Sequence, residues 1–163
     1  MTGAELKTLR ESMGLSVHWV ARIMGVNDRT VNYWESGRFP QRRDMRDMML
    51  DMEHILDTLV DRHEEEILKM QSKDVVLLRY RTDEDLYRFQ PDFRNTLLPV
   101  TYHAALLARL TKRLNKKGIN TRIFYMDVEA YEEWLNGRPD STALRSEWGS
   151  HEVNYKRTLK NKT

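Results

Sequence analysis

The chain has 163 residues, of which 40% are hydrophobic and 32% charged, a composition typical of a globular protein rather than of a disordered or fibrous one. It contains no cysteine, which excludes disulfides, thiolate metal sites and cysteine nucleophiles. No apolar run approaches the ~20 residues that span a bilayer. Residues 1–20 also lack a basic start followed by an apolar stretch, so we expect a cytoplasmic protein with no secretion signal and no membrane partner.

The formal net charge is only +2, so its distribution along the chain is more informative than its sum. Residues 1–44 carry a net +2 and residues 73–126 a net +6, whereas residues 45–72 between them carry a net −5. The basic segments favour an acidic partner such as nucleic acid, or they neutralise the acidic segment within the fold. Both interpretations stay open at this point.

The first 44 residues predict three short helices joined by turns of a few residues. Each predicted helix begins at a polar capping residue and ends at a glycine. The caps are Thr2, Ser16 and Asn27, with Glu5 completing a capping box, and the glycines are Gly14, Gly25 and Gly37. Because the connections are so short, neighbouring helices must cross steeply around one small core.

Residues 41–72 predict one long amphipathic helix that starts after Pro40. Apolar residues, many of them methionines, recur every three or four positions without an interrupting Gly or Pro. A break near residues 61–66 is the alternative. At 1.5 Å per residue the helix reaches roughly 45 Å, so we expect it to link two units or to pack against a second copy. His63 precedes three glutamates, but Ile67 stands where a zinc pattern needs a second histidine, so we expect a solvated face there.

From residue 73 the periodicity predicts a small α/β unit. An apolar run at residues 75–80 and a second run at 121–126 are typical of strands, and a helix from Pro99 to Gly118 lies between them. Strand, helix and strand in this order predict a parallel pair with a right-handed crossover. Thr82 with Asp85 caps a short helix after the first strand.

Asp127 is predicted to cap a last helix that ends at Asn136 and Gly137. The polar tail after Pro139 is expected to be loose, and its basic end carries Lys156, Arg157, Lys160 and Lys162.

The predicted fold class is therefore mainly α with a small α/β C-terminal unit. The expected segments are a helix-turn-helix domain at 1–44, a connecting helix at 45–72, an α/β domain at 73–137 through which the chain dimerises, and the tail at 138–163.

The segment 15–38 meets the geometric needs of a helix that reads DNA. Ala21 lets the second helix lie close to the third, and Gly25 makes the sharp turn between them. The expected core consists of Val20, Val26, Val31 and Trp34. The next helix is then held rigidly, and its outward residues offer donors and acceptors to base edges in the major groove. These residues are Asp28, Arg29, Asn32 and Tyr33.

Residues 4–40 resemble the phage Cro and repressor-type helix-turn-helix family, also called the xenobiotic-response-element family. The motifs that carry the likeness are Leu6 and Arg10, Gly14-Leu15-Ser16, Ala21, Gly25-Val26, Thr30-Val31, and Trp34-Glu35-Ser36-Gly37-Arg38. The resemblance implies that bases are read by Arg29, Asn32, Tyr33 and Asp28, and that phosphates are bound by Ser16, Thr30, Ser36 and Arg38. Val17 departs from the family, which often places a polar phosphate-binding residue there, and His18 or Arg22 is the candidate substitute.

Three neighbouring positions have their own expected roles. Glu35 is expected to brace a helix by pairing with an arginine, Arg10 being the candidate, because a carboxylate near phosphates lowers DNA affinity. Arg42 and Arg43 either touch phosphates or only begin the long helix.

The segment from Tyr33 to Arg38, the long helix and the small α/β unit together resemble a narrower group, the anti-CRISPR-associated regulators and their uncharacterised bacterial relatives. Members of that group are dimeric autorepressors that bind inverted repeats, and some also bind RNA. The resemblance implies a homodimer formed largely through the C-terminal unit.

A cluster of cations near the end of one helix favours interaction with the helix C-terminus and solubility. The alternative interpretation is a second nucleic-acid surface, for RNA, with Phe124 or Tyr125 nearby for stacking. The cluster consists of Arg109, Lys112, Arg113, Lys116, Lys117 and Arg122.

We predict a sequence-specific repressor that binds double-stranded DNA as a homodimer, with no catalytic residues, cofactor or metal. The alternatives are an antitoxin-like protein whose C-terminal unit binds a protein partner, and an enzyme that uses the C-terminal domain.

Overall fold

The structure is a computed structural model that describes residues 1–160, with side chains for residues 1–152. The predicted class, mainly α with a small α/β unit, is confirmed. Within residues 1–160 the elements are α1 Gly3–Ser12, α2 Val17–Met24, α3 Asp28–Glu35, α4 Arg43–Lys69, β1 Asp74–Arg79, α5 Asp83–Phe89, α6 Pro91–Thr96, α7 Val100–Lys116, β2 Asn120–Tyr125, α8 Val128–Leu135 and α9 Thr142–Lys160. None of these helices combines the length and the apolar character that crossing a bilayer demands.

The chain divides into two compact units that are discontinuous in sequence, whereas the sequence predicts consecutive segments. Unit 1 comprises Met1–Leu59 with Thr101–Leu106, and unit 2 comprises Val60–Val100 with the chain from Leu107 onward. Helices α4 and α7 each contribute residues to both units.

In unit 1 the predicted helix caps are confirmed. The Thr2 and Glu5 side chains accept from each other's backbone N–H groups at 3.1 and 2.6 Å, which completes the capping box. Ser16 Oγ accepts from the Trp19 N–H at 3.0 Å, and Asn27 Oδ1 accepts from the Thr30 N–H at 2.9 Å. These bonds satisfy donors that every helix start leaves without an intrahelical partner.

The core of unit 1 lies among α1, α2, α3 and the first half of α4. Its fully or almost fully buried side chains include Leu6, Val20, Ala21, Val31, Trp34, Met45, Met49 and Leu56. The Tyr102 hydroxyl donates to the Met52 carbonyl at 2.5 Å. At Gly14 the φ angle is +67°, and a Cβ there would lie 2.3 Å from the Thr101 carbonyl oxygen, so only glycine fits this turn.

In unit 2 the two predicted strands are confirmed, each one residue earlier than expected. They pair in parallel from Asp74 opposite Asn120 to Arg79 opposite Tyr125. Residues 75–78 of β1 are buried, whereas β2 is exposed along most of its length. The predicted caps of the helices that follow the strands are also present: Thr82 accepts from the Asp85 N–H and Asp127 from the Ala130 N–H.

The expected solvated face around His63 was wrong. Helix α4 runs without a break, so residues at positions 60, 63, 64 and 67 fall on one face. Val60 and Ile67 on that face are fully buried, and His63 and Glu64 between them are buried as well. The run of charge at 61–66 hid this stripe, because its exposed members lie on the other faces of the same turns.

The expected loose tail after Pro139 was also wrong for most of its length, because Thr142–Lys160 forms α9. Trp148 on α9 is 3% exposed, and a Cβ on Gly149 would lie 2.7 Å from Val76 Cγ1 of β1. The missing side chain of Gly149 therefore lets α9 approach the sheet closely. The basic side chains expected on the tail, Lys156, Arg157, Lys160 and Lys162, lie outside the described ones. The short helix α6 was not predicted.

Candidate nucleic-acid interface

Helix α3 is fixed in three places: by the turn that precedes it, by the buried side of the helix and by an ion pair at its C-terminal end. Gly25 adopts a left-handed φ of +63° and closes α2, and Asn27 then caps α3. Val31 and Trp34 on its back are buried, and Ala21 of α2, 1% exposed, offers almost no bulk at the contact between the two helices. The expected core is confirmed except at Val26, which is only half-buried.

The end of α3 is tied to α1 by a buried ion pair. Arg10 Nε donates to Glu35 Oε1 at 2.5 Å and Arg10 Nη2 donates to Glu35 Oε2 at 3.1 Å. The third donor, Nη1, bonds the Leu15 carbonyl at 2.7 Å. The hydrogen bonds that Arg10 donates to Glu35 raise the pKa of Arg10 above its ordinary value. The predicted brace is therefore confirmed, and it keeps the Glu35 carboxylate away from the exposed face.

Gly3 is a supporting residue that the sequence analysis missed. A Cβ on Gly3 would lie 2.4 Å from the Glu35 carbonyl oxygen and 2.6 Å from that of Trp34. The backbone of α1 therefore starts directly against the end of α3. The available signal was a glycine at the first position of a well-capped helix, where most other residues would favour the helix more.

The predicted base-reading residues lie together on the outward side of α3. Asp28, Arg29 and Asn32 are exposed and Tyr33 is half-exposed. Arg29 Nε donates to the Tyr33 hydroxyl, and the Arg29 guanidinium carbon lies 5.1 Å from the Tyr33 ring centroid. Arg38 adds a second guanidinium over the same ring at 4.7 Å. Among residues 1–152 no carboxylate pairs with either arginine, so this face keeps two positive charges that are not neutralised.

Phe39 extends this face and was also missed from the sequence. Its ring meets Tyr33 edge-on, with centroids 5.1 Å apart and planes at 79°, and the residue is 52% exposed. Tyr33 is therefore fixed from the side by an aromatic ring and covered by two cations, which limits its rotamers. The signal in the sequence was an aromatic residue directly after the last motif residue, Arg38.

Asp28 is the one acidic member of the face, and it has a partner. Its Oδ1 lies 3.3 Å from His18 Nδ1 at the start of α2, and both side chains are largely exposed. His18 and Arg22, the candidate substitutes for the Val17 position, are both exposed.

The three hydroxyl groups expected at phosphates lie at the ends of α2 and α3. Ser16 Oγ accepts as a helix cap, so its hydroxyl hydrogen stays available to a phosphate oxygen. Thr30 Oγ1 instead donates to Asn27 Oδ1 at 3.0 Å, and Ser36 Oγ donates to the Tyr33 carbonyl at 3.2 Å. These two hydroxyls must rotate before they can donate to a phosphate.

Arg42 and Arg43 differ from Arg29 and Arg38 because each pairs with an aspartate. Arg42 Nε donates to Asp44 Oδ1 at 3.0 Å, and Arg43 Nε lies 3.7 Å from Asp47 Oδ2. The hydrogen bond to Asp44 raises the pKa of Arg42, and the same bond lowers the pKa of Asp44. All four groups are exposed, so the pairs are weak and can exchange for phosphates.

The basic cluster of unit 2 is partly neutralised. Arg113 pairs with Asp61 and lies 3.7 Å from Glu64, and Lys117 Nζ lies 3.0 Å from Glu64 Oε1. The basic and acidic segments therefore neutralise each other at these residues, as one of the two interpretations of the charge pattern predicts. In the described part of the chain, the cluster members that form no ion pair are Lys112, Lys116 and Arg122.

The chain is therefore a mainly α protein. One of its units exposes a polar helix face that carries cations, and the other contains a two-stranded parallel sheet. It belongs to the family described as Domain of unknown function (DUF4447), whose profile matches residues 1–153. No curated protein sequence matches the chain.

Proposed function

We propose that the chain is a sequence-specific, double-stranded-DNA-binding transcriptional regulator of the cytoplasm, acting as a dimeric repressor on an inverted-repeat operator. The observation that carries the proposal is the outward face of α3. It presents Arg29, Asn32 and Tyr33 beside Arg38, with no carboxylate partner for either arginine within residues 1–152. The back and the end of the same helix are buried and braced, which is what a rigid reading element requires.

In the proposed complex α3 lies in the major groove and its side chains meet base edges. An arginine such as Arg29 suits a guanine through bidentate bonds to O6 and N7, and Asn32 suits an adenine through N6 and N7. Tyr33 offers a hydroxyl and a ring edge. Arg29 exchanges its bond with the Tyr33 hydroxyl for the base, so little rotamer freedom is lost on binding.

The remaining contacts of the proposal set register rather than sequence choice. Ser16, Thr30, Ser36 and Arg38 bind phosphates beside α3, and Arg42 and Arg43 add to them if their aspartates release them. Two copies place their α3 helices about 34 Å apart, one turn of DNA, on a two-fold symmetric site. Occupancy then blocks transcription, and regulation of its own gene follows from the resemblance alone.

A second candidate function, an antitoxin-like or other interaction protein, is favoured by one observation. Strand β2 exposes three consecutive apolar or aromatic residues, Ile123, Phe124 and Tyr125. Such a strand suits a protein partner. An RNA surface on the unit 2 cations has less support, because Arg113 and Lys117 already pair with acids.

Selection of bound sequences from a random duplex pool tests the proposal. We expect a two-fold symmetric consensus for the native chain. For Arg29→Ala we expect a loss of about 1 to 3 kcal/mol confined to one base pair per half-site. Arg94→Ala, which removes an exposed arginine of α6, is the matched control and should leave the consensus and the affinity unchanged. A native chain that yields no consensus at moderate salt would contradict the proposal and favour the interaction protein.

A further inference from the structure

Strand β2 forms an edge of its sheet along which apolar and aromatic side chains are exposed, although the Arg81 guanidinium lies 4.0 Å from the Tyr125 ring centroid. The sheet has two strands, so one edge of β2 has no strand neighbour among the described residues. Ile123, Phe124 and Tyr125 on this strand are 43%, 38% and 53% exposed. Soluble proteins usually protect such an edge with charges, proline or a bulge, and between Asn120 and Tyr125 the only charged residue is Arg122.

The exposed apolar groups occupy both faces of β2. Ile123 pairs with Leu77 and Tyr125 with Arg79, so both lie on one face, and Phe124 pairs with Leu78 on the other. Helix α9 contacts Val76 and Leu78 on that second face, yet Phe124 stays exposed beside them. A partner that covers only one face would leave apolar surface in water. A further strand added at the edge contacts both faces at once.

We infer that β2 pairs antiparallel with β2 of a second copy, which produces a continuous four-stranded sheet across a two-fold axis. The choice of a second copy as the partner rests partly on the proposed function, because an inverted-repeat site takes two copies of the chain. It rests also on the sequence of the strand, which is self-complementary in one register. A two-fold axis makes the same patch serve both partners, so such self-complementarity is required.

The register follows from which residues must share a face. Directly opposed residues of an antiparallel pair point to the same face of the sheet. The two-fold axis also keeps each residue and its equivalent in the second copy on the same face. Both conditions hold only if the axis passes through a residue that stands opposite its own equivalent. With Ile123 at the axis, Thr121 stands opposite Tyr125 and Arg122 opposite Phe124, and all five residues from 121 to 125 are paired. Each Arg122 then lies beside an aromatic ring, a favourable neighbour for a cation.

The other two registers are less favourable. With Arg122 at the axis, two like charges oppose each other directly, which destabilises the pair. With Phe124 at the axis, Arg122 stands opposite Met126, which is buried and lies beyond the strand, so only three pairs remain. The Ile123 register alone pairs all five residues from 121 to 125 within the strand and keeps the two Arg122 side chains apart.

Sedimentation of the full chain without DNA, over two orders of magnitude in concentration, tests the pairing. We expect a monomer–dimer equilibrium that Ile123→Lys weakens by about 100-fold, because two lysines would then oppose each other at the axis. Leu50→Lys is the matched control: Leu50 is 50% exposed on α4, and its replacement should leave the equilibrium unchanged. Circular dichroism of both variants should match that of the native chain.

Cysteine cross-linking tests the register and does not depend on the lysine variant. Because the chain has no cysteine, Ile123→Cys introduces a single thiol. Opposed residues have Cα atoms about 4.5–5.5 Å apart, within disulfide range, so oxidation should give a covalent dimer. Thr121→Cys lies on the same face, but its equivalent would be about 13 Å away along the strand, so it should not cross-link.

A native chain that stays monomeric, or a dimer that neither Ile123→Lys weakens nor Ile123→Cys cross-links, would overturn the pairing. Cross-linking at 121 instead of 123 would overturn the register. A monomer that still selects a DNA half-site would refute this inference and the dimeric part of the proposed function, and would leave sequence-specific DNA binding standing. A dimer that cross-links at residue 123 but selects no DNA sequence would support the pairing and contradict the proposed function.

Discussion

Helix α3 and strand β2 both expose one side to water, but the groups that they expose differ in kind. The outward residues of α3 are Asp28, Arg29, Asn32 and Tyr33, whose polar atoms lose hydration on binding unless a partner replaces each hydrogen bond. The outward residues of β2 are mainly Ile123, Phe124 and Tyr125, whose removal from water is favourable by about 25 cal/mol per Å². A polar partner such as DNA therefore suits the first surface and an apolar protein surface suits the second.

A second contrast concerns the cations themselves. Arg29 and Arg38 lie over an aromatic ring with no carboxylate partner in the described chain. Arg113 and Lys117 pair with acids of α4. The basic segment at 73–126 has the larger net charge, yet part of it is neutralised within the fold. Net charge along a sequence is thus a poor guide to which cations are available to phosphates.

The largest expected effect comes from removing the brace that makes α3 rigid. Arg10→Met leaves the Glu35 carboxylate buried without its cation, and we expect a loss of about 3 kcal/mol in the free energy of unfolding. Urea denaturation measures it. Lys7→Met, which removes the exposed pair of Lys7 with Glu11 at 3.9 Å, should change stability by less than about 0.5 kcal/mol. Equal effects of the two substitutions would mean that Arg10 does not support α3.

A smaller effect is expected at Gly3, where the backbone of α1 meets the end of α3. Gly3→Ala places a Cβ 2.4 Å from a carbonyl oxygen, so backbone must shift, at about 2 kcal/mol of unfolding free energy. Gly25→Ala is the control, because nothing lies within 4 Å of its Cβ and only the positive φ opposes it, at about 1 kcal/mol. Thermal unfolding of both variants ranks the two costs. A larger loss for Gly25→Ala than for Gly3→Ala would show that the backbone of α1 shifts at little cost in free energy.

The difference between the two groups of cations is sharpened by the salt dependence of DNA binding. Arg38→Ala should lower the slope of log K against log salt by about 1 and weaken binding by about 1 kcal/mol on every sequence. Lys117→Ala should leave the slope unchanged, because that lysine is paired with Glu64. Fluorescence anisotropy at several salt concentrations measures both slopes. A larger change for Lys117→Ala would assign the phosphates to unit 2.

The smallest expected effect is at Phe39. Phe39→Ala removes the edge contact that orients Tyr33, and we expect DNA affinity to fall by about 0.5 to 1 kcal/mol with stability unchanged. Phe124→Ala is the control: it removes another exposed phenylalanine ring, from β2, and should leave the affinity for a DNA half-site unchanged. If Phe124→Ala weakens half-site binding and Phe39→Ala does not, the assignment of the two surfaces is reversed.

Much of unit 1 could be predicted because its signals are local. A cap needs only the residue three positions ahead, so Thr2, Ser16 and Asn27 could be assigned from spacing alone. The Arg10–Glu35 pair spans 25 positions and was still predicted, because the motif of the resembled family contains both residues. Gly3 and Phe39 were missed because their roles depend on contacts with α3 that no spacing rule describes.

Unit 2 shows where prediction from the sequence stops. Its strands and caps follow from apolar runs and local hydrogen bonds, as in unit 1. The burial of His63 and Glu64, by contrast, depends on which face of α4 is covered, and a run of charges points the other way. The polar composition of α9 predicts a loose tail, but Trp148 and Gly149 provide a small face that packs on β1.

The start and end of most helices and strands could be predicted from the amino-acid sequence, because capping, glycine turns and hydrophobic periodicity act over three or four residues. Which cations stay available, which histidines are buried and which strand lies at an open edge depend instead on the tertiary fold. The physical reason is that desolvation and ion pairing depend on neighbours in space. For Arg113 and Asp61, or for Gly149 and Val76, those neighbours lie far apart along the chain.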